Sequence, residues 1–163
     1  MRLGYQGDFA FTQNGVPTDD PSLWFSFQHF PSIVSQNDIQ TTLVVWDIGD
    51  SRVLNTNGDV CAGSKCYSRA VSFQYDQSSM VANIVWQDLP GMFSLWGGCI
   101  SQLENTNVEF DVNAPVGAAF ASEVQEVTQT STPQIIRKMD IAPANAYSAY
   151  RVPSLYPGVT WQN

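Results

Sequence analysis

Any imidazole chemistry in this chain must use His29, its only histidine, which lies inside the aromatic run WFSFQHF from Trp24 to Phe30. A Ser-His-Asp site would also need an activated serine and an oxyanion hole. Ser26 and Ser32 are close in sequence, but no G-x-S-x-G elbow occurs to present a nucleophile. A glycosidase would need two carboxylates flanking a sugar, one of them with a raised pKa. Glu104, Glu109 and Asp111 gather on one expected hairpin, where the plainer expectation is a solvated sheet face. WDIGDS brings Asp47 and Asp50 near a turn, with Asp59 beyond. Calcium takes several carboxylate and carbonyl oxygens, and the EF-hand spacing is missing here. Capping of turns by these aspartates is the expected role. A calcium ion shared between subunits is the one cofactor left open, and no other is expected.

Three cysteines, Cys61, Cys66 and Cys99, are too few and odd in number for a disulfide scaffold. CAGSKC could close a small loop, but free thiols are the expectation. No second cysteine or histidine pair accompanies it, so zinc is not expected. Phosphate loops and dinucleotide fingerprints are also missing from the sequence. The pattern as a whole is read as non-enzymatic.

The elements that must position these residues follow a period of two. In AVSFQYDQ, Val71, Phe73 and Tyr75 alternate with Ser72, Gln74 and Asp76; in NVEFDVN, Val108, Phe110 and Val112 alternate with Glu109 and Asp111. Such alternation predicts half-buried strands. IQTTLVVWD and MVANIVWQD are richer in β-branched residues and are expected to be buried on both faces. Asn57-Gly58 predicts a hairpin turn with positive φ at both residues, LENTNV a second hairpin, and Pro90-Gly91 a type II turn. GAAFASEVQEV, Gly117 to Val127, is the best helix candidate but fits strand equally, and PQIIRKMDI reads as a strand. These signals predict an all-β fold of nine to eleven short strands, an antiparallel β-sandwich or a jelly-roll-like barrel. Residues 1–163 are expected to form a single β domain, with 142–163 a Pro/Tyr-rich extended tail packed on it.

If LWFSFQHF is one strand, Phe25, Phe27 and His29 share a face opposite Trp24, Ser26, Gln28 and Phe30. His29 is then a hydrogen-bonded histidine at a core margin, and Trp24 and Phe30 are candidates for ligand or interface contacts. Of the five tryptophans, most are expected in the core, and any exposed ones could stack on sugars or anchor an interface.

Charge narrows the partners. Only 13% of residues are charged and the net charge is −8, which repels phosphate backbones and acidic membrane surfaces. Direct nucleic-acid binding and membrane insertion are therefore not expected. Met1 to Phe11 lacks the apolar core of a signal peptide, which fits a cytosolic chain, a processed product or a domain of a longer protein.

Two fragments carry a resemblance to viral coat proteins. FSLWGG, Phe93 to Gly98, resembles the F-x-x-W-x-G run that opens a strand in picornavirus-like jelly rolls. VVWDIGDS, Val44 to Ser51, resembles the W-D-x-G segment of that family, although here the two fragments come in the reverse order. Low lysine, abundant Asn, Gln, Ser and Thr, and the missing basic arm also resemble the protruding domains of small non-enveloped RNA viruses. The resemblance implies a virion surface domain. Such a domain would self-associate as a dimer or trimer, contact other capsid subunits, and attach to a host receptor or glycan. A carbohydrate-binding β-sandwich module of an extracellular protein is the alternative, and a β-fold hydrolase the third reading.

Overall fold

The computed structural model describes residues 1–117 and 120–152. Ten strands form two sheets. They are β1 (Ala10–Gln13), β2 (Val16–Thr18), β3 (Gln28–Gln36), β4 (Gln40–Asp47), β5 (Arg69–Asp76), β6 (Val81–Asp88), β7 (Ile100–Gln102), β8 (Val108–Asn113), β9 (Ser122–Val127) and β10 (Ile135–Ile141). The first sheet has the order β2-β1-β6-β5-β4-β3 and the second β10-β9-β8-β7. All neighbours are antiparallel except β1 and β6. The all-β sandwich is thus the fold. Its strands connect as two meanders, β3 to β6 and then β7 to β10, without the Greek-key crossing of a jelly roll. Complete four-stranded meanders following one another is also how propeller blades succeed each other. Among the described residues no helix is long and apolar enough to cross a membrane.

The first core lies between the sheets. Val44, Trp46 and Ile48 from the β4 region meet Ile100, Val108, Phe110 and Val112 from β7 and β8. Trp46 stacks on Phe110 with ring centroids 5.3 Å apart. The second core covers the opposite face of the large sheet, where Val45, Val71, Phe73 and Ala82 pack under Phe9, Phe11 and Trp24. β4 is therefore enclosed on both faces toward its end, as its apolar run predicts, whereas β6 keeps Val85 exposed. β5 corrects the half-buried expectation: as a central strand it buries Ser72 as fully as Val71 and Phe73.

Turns behave as their residues require, with one exception. Gly91 has the positive φ of the type II reading. The Asn55–Asp59 turn places only Gly58 at positive φ, because Asn55 Oδ1 accepts the amide protons of Asn57 and Asp59 and holds Asn57 in ordinary φ. Val53 and Val60 bridge across this turn. The latter part of the helix-or-strand segment, Ser122–Val127, is β9, and LENTNV links β7 to β8 as expected.

Candidate functional site

WFSFQHF is not one strand. A short 3-10 turn, Pro21–Leu23, ends at Trp24, and β3 begins only at Gln28. The cause is a buried ionic cluster. Asp47, Arg52 and Arg69 are all fully enclosed. Asp47 accepts from Arg69 Nε at 2.8 Å, lies 3.0 Å from Arg52 Nη2, and takes the Ser26 amide at 2.9 Å. The two guanidinium groups then reach onward to backbone carbonyls: Arg52 donates to Trp24 O at 2.8 Å and Arg69 to Leu23 O at 2.8 Å. Burial pulls the Arg69 pKa down while Asp47 opposes that shift. Carbonyls of residues 23–24 are thereby drawn inward, and the chain turns back through positive φ at Phe27 and again at Phe30. Gly49 permits the approach, since a Cβ there would lie 2.1 Å from Tyr67 O and 2.5 Å from Arg52 Nη2.

This geometry fixes the sequence candidates. Trp24 is buried in the second core, 6% exposed, so it presents no surface in this structure; Phe30, at 38%, does. His29 is half-buried against Tyr147, ring centroids 5.9 Å apart, and desolvation lowers its pKa. Among the described residues no carboxylate hydrogen-bonds to it. Ser26 Oγ donates to Asp50 O, and Ser32 lies exposed farther along β3, so neither serine is brought to His29 as a nucleophile. Asp47 commits one oxygen to the two arginines and the other to the Ser26 amide. Among the described residues no group of three or more His, Cys, Asp or Glu gathers as a metal site.

The acidic hairpin departs most from expectation. Glu104 is exposed, but Glu109 and Asp111 are buried rather than solvated. Residues 145–152 cross this polar face of the small sheet. Ala146 N donates to Ser122 Oγ, Cys99 bonds to Ala149, and Gly98 N donates to Tyr147 O. Glu109 and Glu126 are directly opposite in register, a repulsive pairing on its own. Arg151 spans them, 2.8 Å from Glu109 Oε2 and 2.6 Å from Glu126 Oε2. The Asn107 side chain, with help from Arg151 and Asn105, holds the Glu126 pKa down at about 2. Asp111 lies between these groups and Cys99 with neither carboxylate oxygen bonded, and desolvation raises its pKa to about 7. Burial likewise lifts the Cys99 thiol to about 11.

Cys61 and Cys66 are paired as a disulfide, which corrects the free-thiol expectation; the 3-10 turn Gly63–Lys65 folds the loop back and brings their Cα atoms to 5.1 Å. Cys99 remains a buried free thiol. Of the described tryptophans only Trp96 is well exposed, beside Tyr147; Trp161 lies outside the described residues, as does the tail beyond Val152.

The sheet edges differ sharply. β2 is three residues long and contains Pro17; β7 is also three residues; β3 contains Pro31 and two register shifts. All three are blunted in the ways edges usually are. β10 is not. It runs seven residues without proline, six of them exposed, and carries Ile135, Ile136 and Met139 into solvent. Its one register shift falls at its start, between Ile135 and Arg137. The sequence contains the strand but not its edge position, which depends on the order of the sheet.

The chain matches no model of a known protein family and no curated protein in sequence.

Proposed function

We propose that this chain is a non-enzymatic surface domain that associates with a second copy of itself through the free edge of β10. The unblunted, apolar edge carries the reading, because an exposed strand of this kind is a template for pairing with another chain. Charge favours a second copy as the occupant. In an antiparallel pairing centred on Met139, Lys138 of each strand faces Asp140 of the other, giving two opposite-charge pairs on one face. Met139 meets its own counterpart at the centre. A two-fold axis there makes the interface self-complementary, the commonest arrangement in soluble oligomers.

The Cys61–Cys66 disulfide supports an oxidising setting such as a virion surface or the extracellular space. The resemblance of Phe93–Gly98 and Val44–Ser51 to coat-protein segments supports the virion, where the domain would join coat subunits and face the host. Light scattering coupled to size exclusion tests the association directly. A concentration-dependent dimer is expected, and a strict monomer at high concentration contradicts the reading.

A further inference from the structure

We propose that the cleft between the open ends of the two sheets binds a neutral, hydroxyl-rich ligand, a single sugar ring. The cleft encloses about 550 Å³, within the ordinary range of small-ligand sites, about 300–1,000 Å³. Its lining takes in the β9–β10 turn but no residue of β10 itself, so the inference does not depend on whether the chain associates.

Three features of its lining point to a sugar. First, the lining carries no charged side chain. In a chain of net charge −8 this leaves nothing to hold a phosphate or carboxylate. Second, Val85 and the small exposed part of Trp86 give the lining apolar surface, and the Trp86 indole N–H is already satisfied by Thr130 O at 3.1 Å. Such surface suits the apolar faces of sugar rings. Third, the lining retains unused hydrogen-bonding groups of both kinds. Ser72 Oγ is fully buried and has no partner. Gln102 donates to Gln129 Oε1, leaving the Gln102 carbonyl and the Gln129 amide N–H groups. Thr42 Oγ1 accepts from Gln74, which leaves the Thr42 hydroxyl proton. A sugar hydroxyl both donates and accepts, and so matches a mixed set of this kind.

The test is a titration of the 15N-labelled protein with methyl β-glucoside, methyl β-galactoside and methyl N-acetyl-β-glucosaminide, followed by amide shifts, with a sialyl glycoside as the anionic arm. At least one neutral glycoside is expected to bind with a Kd of about 1 mM, the range open to so small a ligand. Its shifts should centre on β6, Gln102 and residues 129–131. Gln102→Leu should weaken binding about tenfold, and Val85→Glu, which sets a charge on an exposed lining position, should weaken it with the spectrum otherwise retained. The proposal is overturned if no neutral glycoside gives saturable shifts up to about 50 mM. It is equally overturned if the sialyl glycoside binds more tightly, if the shifts centre on Trp96, Tyr147 and Tyr150, or if both variants bind like the parent.

Discussion

Replacing Asp111 by Asn should remove most of the pH dependence of stability between pH 4 and 7. The Asp111 carboxyl is fully buried, neither oxygen is bonded, and its pKa is raised from 3.8 to about 7 by desolvation. A folded-state pKa above the unfolded value means that the native state holds the proton longer. Below about pH 4 the group is protonated in both states and contributes no penalty. Between the two values the unfolded chain ionises while the native chain does not, and stability falls by about 1.4 kcal/mol per pH unit. The accumulated loss reaches about 4 kcal/mol by pH 7 and stays constant above it. Asn keeps the shape and polarity of the neutral acid without the charge. Urea denaturation at about pH 3.5, below the onset of that loss, should therefore give the variant and parent equal stability within about 1 kcal/mol. At pH 8 the variant should be more stable by about 4 kcal/mol, or about 8–16 °C in Tm for a domain of this size. Parallel stability profiles from pH 4 to 8 would refute the reasoning, because they would mean that Asp111 is solvated or paired in the native state.

Glu126 acts with the opposite sign: its pKa is held at about 2, so its contribution is complete above about pH 4.5 and lost as the pH falls. The parent should be most stable at about pH 4–4.5, where Glu126 contributes nearly in full and little of the Asp111 loss has accumulated, and thermal melts across pH 3–8 check this. Arg151→Met should destabilise the protein by about 2 kcal/mol in urea, since Glu109 and Glu126 lose their shared cation, although its partial exposure keeps the loss below that of a fully buried pair. Adding Glu109→Gln should recover part of that loss. The Cys61–Cys66 bond closes so short a loop that reducing it should cost only about 2 kcal/mol, and the reduced protein should stay folded by near-UV circular dichroism.

Strand existence was legible because β4, β8 and β10 each carry a strand-like pattern over six or more residues. Which face of each strand meets solvent was not. Glu109 and Asp111 alternate with valine and phenylalanine as a solvated face would, and only residues 145–152, some forty positions later, cover them. The single strand expected over residues 23–30 failed for a similar reason, although His29 does sit half-buried. The alternation assumed for residues 23–30 is broken by Arg52 and Arg69, which draw in the carbonyls of Leu23 and Trp24 from far along the chain. The seven basic residues in so weakly charged a chain were a usable signal: four of them, Arg52, Arg69, Lys138 and Arg151, pair with buried acids. The cleft side chains carry no signal of their own, since Gln102 and Gln129 come together only when the β9–β10 turn lies beside β7.

The pairing of β10 with its own copy is tested most directly by charge reversal followed by sedimentation equilibrium. Among the described residues Asp140 is exposed and pairs only with Lys138, whereas Lys138 also pairs with the buried Glu123, so the single reversal is made at Asp140. Asp140→Lys should drive the protein to monomer by setting two like-charge pairs across the axis. Lys138→Glu combined with Asp140→Lys should restore the dimer. A dimer that is indifferent to both changes, or a parent that is monomeric from the start, would contradict the account.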